Sequence, residues 1–199
     1  MPDSREGRDK QAHDEANRQR MRAMLEELER SDETEPEVAE ETLEDLDGEL
    51  AAVEFPATAK EVVESVGDYR VEATHGTYDV AQLIPRSEME AFDSPEAVRM
   101  RIQRPTVASA MKRIVEAAES HPRMSIDGSQ REAYERTFRE LIAIDAVDDD
   151  EGVTAVRDWI LEQITENETL PGSRAVRKQA ARVCRSSGYV VRDDEWLGA

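Results

Sequence analysis

Lysine is nearly missing from this chain. Of 26 basic residues only Lys10, Lys60, Lys112 and Lys178 are lysines, which leaves 22 arginines. Cysteine is rarer still: Cys184 stands alone, so no disulfide closes within the chain. Aromatic residues make up 5% of the sequence, too few for a core built on rings. No apolar run approaches the roughly 20 residues that a membrane-spanning helix needs. The opening MPDSREGRDKQAHDE is polar from its first residues and lacks the apolar segment of a secretory signal. These absences lead us to expect a cytoplasmic protein with no membrane partner.

What the chain has instead is acid. Asp and Glu number 46, charged residues reach 36% of the sequence and the formal net charge is −20. Arginine is weakly hydrated and pairs bidentately with carboxylates. In molar salt the Debye length shrinks to about 3 Å, so a large net charge stops straining the fold. Acid together with arginine in place of lysine therefore reads as the composition of a halophilic archaeal protein. A partly disordered acidic protein of ordinary cytoplasm is the other reading.

Along the chain the expected fold class is mostly α with one β-hairpin, in four parts. Residues 1–54 form an acidic arm, helical or partly disordered, in which Val38, Leu43, Leu46, Leu50 and Val53 are too few and too small to promise a core. Residues 55–121 form a small α+β domain. In it Thr58 and Glu61 make a capping box, Gly67 offers a left-handed helix end, and Ser94-Pro95 starts another helix. Pro105 opens a longer one with Val107, Met111, Ile114, Val115 and Ala118 on one stripe. A hairpin is expected over 69–80 with His75-Gly76 as its turn. Ala73 then faces Tyr78, Val71 faces Val80, and Tyr69, Val71, Ala73, Tyr78 and Val80 share one face.

Residues 122–128 are a linker. Residues 129–199 form a three-helix, helix-turn-helix-like domain capped at Ser129 and Glu132. The connection Leu170-Pro171-Gly172-Ser173 enters its last helix, and Gly188 ends it. Tyr189-Val190-Val191 reads as a short strand and Trp196 as a residue folding back onto the bundle.

The run Phe55-Pro-Ala-Thr-Ala-Lys-Glu-Val62, the hairpin, and Phe92-Asp-Ser-Pro-Glu-Ala-Val98 resemble an uncharacterised haloarchaeal domain-of-unknown-function family over about residues 50–104. Ala97 stands where that pattern often has a second acid, which concerns a helix surface alone. The resemblance implies a halophilic source and carries no activity, substrate or cofactor.

The chemistry-bearing residues are scattered. His13, His75 and His121 lie on separate segments, Cys184 has no ligand-spaced neighbour, and no spacing matches a zinc site. The run Asp148-Asp149-Asp150-Glu151 lacks the glycine-punctuated pattern of a calcium loop and reads as a solvated turn. Cys184 falls on the apolar side of its helix and reads as a structural thiol. With no phosphate loop, dinucleotide fingerprint or nucleophile elbow, we expect no enzyme, no cofactor, no metal and no evident small-molecule substrate.

The sharper signal is where acid is missing. Between Ala97 and Val115 there is no carboxylate, while Arg99, Arg101, Arg104, Lys112 and Arg113 are present. The same holds between Thr169 and Arg192, which contain Arg174, Arg177, Lys178, Arg182, Arg185 and Arg192. Five of these, Arg174, Arg177, Lys178, Arg182 and Arg185, keep helical spacing, the last four lying 3, 4, 8 and 11 residues beyond Arg174, as on one helix face. The plain reading is internal pairing, with the acidic arm lying across the arginines. The functional reading is a non-enzymatic interaction or adaptor protein with an unknown protein partner. The alternative is a nucleic-acid-binding regulator that uses the basic helix 173–187, assisted by Arg99, Arg101 and Arg104.

Overall fold

In a computed structural model of the chain, residues 37–144 and 150–188 are described, and all of them fall within one compact unit, Pro36–Ala199. The arm before Glu37, Asp148 and Asp149 of the acidic turn, and the expected strand and Trp196 lie outside the described residues.

The described chain is mostly helical with a β-hairpin. Its elements run α1 (Glu40–Leu50), β1 (Ala57–Thr58), α2 (Ala59–Val66), β2 (Arg70–Ala73), β3 (Gly76–Asp79) and α3 (Val80–Leu83). There follow β4 (Ala91–Phe92), α4 (Pro95–Ile102), α5 (Pro105–Glu119), α6 (Gly128–Ile142), α7 (Glu151–Asn167) and α8 (Ser173–Ser186). Strands β2 and β3 form the hairpin, and β1 pairs with β4 antiparallel.

Local chemistry explains most helix starts. The Thr58 amide donates to Glu61 Oε2 at 2.8 Å while Glu61 N donates to Thr58 Oγ1 at 3.2 Å, so both halves of the capping box are made. Ser94 Oγ accepts from Ala97 N at 3.3 Å, with Pro95 as the first helical residue. Helix α6 starts earlier than expected. Asp127, not Ser129, is its cap and accepts from Gln130 N at 2.8 Å, while the Ser129 hydroxyl donates to the same carboxylate. The bonds from Ser129 and the Gln130 amide hold the Asp127 carboxyl below its usual value, so it keeps its charge where that suits the positive end of the helix. Gly67 ends α2 in a right-handed, not left-handed, conformation. Glycine is needed there for space: a Cβ would stand 2.2 Å from the Val63 carbonyl oxygen.

The hairpin keeps its predicted face but turns one residue sooner. Val71 pairs with Tyr78 and Ala73 with Gly76, which leaves Thr74-His75 at the turn. Gly76 supplies the positive φ, at 148°. The cause is a third segment. Thr74 N and Oγ1 both donate to the Glu37 carbonyl, at 2.8 and 3.0 Å, beside a bridge between Val38 and Ala73. Since the register slips by two residues, an even number, Tyr69, Val71, Ala73, Tyr78 and Val80 remain on one side.

Two apolar cores result. The first gathers Leu43, Leu46 and Leu50 of α1 with Val62, Val66, Val71, Val80, Leu83, Phe92, Val98 and Ile102. Segment 37–50, where the sequence promised no core, is thus part of one: Leu46 and Leu50 are wholly buried. The second core joins Met111, Ile114 and Ala118 of α5 with Tyr134, Phe138, Val156, Ile160, Val176 and Cys184 from α6–α8. Helix α5 serves both, since Ala108 faces the first and Val107, Met111 and Ile114 the second.

Candidate functional site

Helix α8 has no acidic residue between Ser173 and Ser186. Val176, Ala180, Ala181 and Cys184 are buried against α6 and α7. At about 100° per residue, Arg174, Lys178, Arg182 and Arg185 fall within an arc of about 80° on the opposite side, and all four are exposed. The fifth residue of the expected face, Arg177, departs from it: it turns toward the packed side, half-buried, with Nε buried.

Among the described residues none of these five cations is within ion-pair distance of a carboxylate. Arg182 donates to Gln179 Oε1 at 3.3 Å, so the one amide side chain on the helix is occupied by a neighbour. The helix entry is fixed from α6, where the Tyr134 hydroxyl and Gln130 Nε2 both donate to the Pro171 carbonyl, the latter at 3.0 Å. Burial pushes the Tyr134 phenol up to about 12. Cys184 is buried and its thiol is pushed up by that burial, the behaviour of a packing residue, not of a nucleophile.

The first acid-free window behaves otherwise. Arg99 contacts Asp47 at 2.8 Å and also pairs with Glu40, both on α1. Those bonds raise its pKa. Arg101 reaches Glu90 at 2.9 Å and Glu135 at 2.6 Å, and Arg131 reaches the same Glu90 oxygen at 2.8 Å. Glu90 is 3% exposed and Arg104 is 7% exposed. Lys112 pairs with Glu116 one turn on. Burial raises the Glu135 carboxyl, against the lowering effect of Arg101. The contact of Glu135 Oε1 with Arg101 is one of charge, since that oxygen receives no hydrogen bond.

So the structure separates residues that the sequence grouped. Arg99, Arg101 and Arg104 serve the interior, while Arg174, Lys178, Arg182 and Arg185 stand in solvent. The buried cluster of Glu90, Arg131 and Glu135 was not foreseen: its members sit on a loop and on α6, and no local spacing ties them to Arg101. Among the described residues no group of His, Cys, Asp or Glu is arranged to hold a metal, and no helix is long and apolar enough to cross a membrane.

No curated protein and no solved structure matches this chain. Residues 40–114, which run from α1 through most of α5 and leave out α6–α8, match a family model described as "Family of unknown function (DUF5789)".

Proposed function

We propose that this is a non-enzymatic interaction protein that offers the Arg174, Lys178, Arg182 and Arg185 stripe of α8 to an anionic partner, in the cytoplasm of a salt-loving archaeon. The reading rests on a contrast. In a chain of net charge −20, the arginines of α4 are taken up by carboxylates of the fold, yet the α8 stripe stands in solvent with no carboxylate within ion-pair distance among the described residues. A surface cation contributes little to stability by itself. Four of them on one rigid helix, cleared of acid, make a patch of opposite sign to the rest of the molecule and so favour one docking orientation.

Affinity capture from the source cells in about 2 M KCl, with and without nuclease, tests this. The full chain is expected to retain a partner that the variant carrying Arg174→Gln, Lys178→Gln, Arg182→Gln and Arg185→Gln loses. A partner retained equally by that variant refutes the role of α8.

Nucleic acid is the second reading. It is favoured by the place of α8 as the last of three packed helices, entered through Pro171-Gly172. With Gln179 engaged by Arg182, the stripe suits phosphates better than base edges. Four phosphate contacts give a salt slope near −3.6, so binding weakens by roughly three and a half decades between 0.2 and 2 M KCl. Nuclease-sensitive capture, with anisotropy of labelled DNA and RNA following that slope, supports this reading. Capture that survives nuclease supports a protein partner.

A further inference from the structure

Of the four lysines in the chain, three lie among the described residues. Lys60 donates to Glu88 at 2.6 Å, and that bond raises the pKa of its amine. Lys112 pairs with Glu116 one turn on, and its side chain is 16% exposed. Lys178 differs from both. It is exposed, and among the described residues no carboxylate stands within ion-pair distance of it. Its surroundings are cationic instead. Arg174 lies one turn before it and Arg182 one turn after it on the same exposed arc of α8, at Cβ separations of about 6 Å. Arg182 gives one N–H to Gln179 and keeps the rest of its fork for another acceptor.

A guanidinium stays protonated at any working pH, whereas a primary amine can lose a proton and become a nucleophile. Acylation of that amine removes its charge. Lys178 is therefore the one member of the α8 stripe whose charge an acyl group can cancel. Glu88 and Glu116 occupy the amines of Lys60 and Lys112, while the Lys178 amine stands open to solvent. Its neighbouring guanidinium forks suit phosphate oxygens, so a donor carrying phosphate is held with its carbonyl beside Nζ. We propose that Lys178 is an acylation site served by an acyl phosphate held on Arg174 and Arg182, and that its modification lowers the affinity of the α8 stripe for an anion. In the step the unprotonated Nζ attacks the carbonyl carbon and an N–C bond forms. The bond from that carbon to the phosphate oxygen breaks, orthophosphate leaves with the electron pair, and the amine proton passes to solvent. The product is a neutral amide in the middle of the stripe, which keeps Arg174, Arg182 and Arg185 as its cations. The effect on affinity rests on the docking role of α8 proposed above; the site itself does not.

Peptide mass spectrometry of the full chain treated with acetyl phosphate gives the acetylation rate at each lysine. Lys178 should react at least about tenfold faster than Lys60 and Lys112, the effect of roughly one charge-assisted contact to the donor. The neutral control is p-nitrophenyl acetate, a donor without phosphate. Arg174→Gln together with Arg182→Gln should slow Lys178 severalfold with acetyl phosphate and leave its rate with p-nitrophenyl acetate in place. Neither exposure alone nor damage to the fold would produce that contrast. Anisotropy then compares the unmodified protein with protein acetylated at Lys178, on labelled DNA and on labelled oligoglutamate. The acetylated form should bind severalfold more weakly, and on DNA its salt slope should fall from about −3.6 to about −2.7. The proposal is overturned if Lys178 reacts no faster than Lys60 and Lys112, or if the double variant slows neither donor or both alike. Its regulatory half is overturned if the acetylated form binds as tightly as the unmodified one. If the unmodified protein binds neither anion, the docking role of α8 fails and the regulatory half with it. The acetylation rates do not depend on docking, so they decide the site separately.

Discussion

Replacing Glu90 by glutamine removes one negative charge and almost no volume from the interior. Glu90 is 3% exposed, and one of its oxygens lies 2.9 Å from Arg101 and 2.8 Å from Arg131. Arg101 retains Glu135 at 2.6 Å after the change, but Glu90 is the only carboxylate paired with Arg131 among the described residues. The variant therefore leaves a guanidinium with 19% side-chain exposure facing a neutral amide. Stranding a buried charge in this way costs about 3–5 kcal/mol, a large part of the roughly 5–15 kcal/mol that holds a typical domain together.

The comparison variant is Glu88→Gln, two residues away. Glu88 pairs with Lys60 at 2.6 Å, but their side chains are 73% and 44% exposed, and such a pair contributes about 0–1 kcal/mol. Urea unfolding of the three proteins, followed by circular dichroism, measures both differences. With an m-value of about 1–3 kcal/mol/M, the Glu90 variant should unfold at least 1 M earlier than the parent, and the Glu88 variant almost with it. Repeating the series at 0.2 and 2 M KCl adds a second criterion. The small Glu88 effect should vanish, since exposed charges are screened, while the Glu90 effect persists. If Glu90→Gln costs no more than Glu88→Gln, the cluster is not the charge-matched interior pair described above.

Two further outcomes follow from the packing. Leu46→Ala should cost about 2–5 kcal/mol in the same urea assay, because Leu46 is wholly buried in the first core; a cost under about 0.5 kcal/mol would mean that α1 is a solvated arm. Tyr134 gives a pH dependence. Its folded phenol is pushed up to about 12 by burial, above the value near 10 of an unfolded chain, so its stabilisation is whole below pH 10 and is lost as pH rises toward 12. Two pKa units correspond to about 2.7 kcal/mol, and the stability difference between the parent and Tyr134→Phe should narrow by about that much across the window; a constant difference refutes the assignment.

The parts of the fold that local chemistry decides were legible. The Thr58–Glu61 box, the Ser94-Pro95 start and the stripe from Val107 to Ala118 each need only residues within one to three turns of helix, and each is where the spacing put it. The hairpin face was legible because strand periodicity is two. Its turn was not, because Thr74 is held by the Glu37 carbonyl, 37 residues away in sequence. Helix α1 was misjudged for a related reason. Three leucines in an acidic stretch look too sparse for a core of their own, yet they complete one whose other members come from α2, the hairpin, α3 and α4.

The candidate surface shows the same limit more sharply. The two acid-free windows look alike in sequence, each rich in arginine and empty of carboxylates. What separates them is the acid that the fold delivers from elsewhere: Asp47 comes 52 residues before Arg99, and Glu135 lies on a different helix from Arg101. Around α4 the chain brings acid to the arginines. On α8 it brings apolar side chains to one side and leaves the other to solvent. A window without carboxylates therefore stays unpaired only when the fold brings no carboxylate within ion-pair distance of it. Among the described residues that condition holds for Arg174, Lys178, Arg182 and Arg185, and it fails for Arg99 and Arg101. The binding experiment accordingly belongs on α8. Substitutions at Arg99 and Arg101 should instead register as loss of stability, whatever partner the molecule meets.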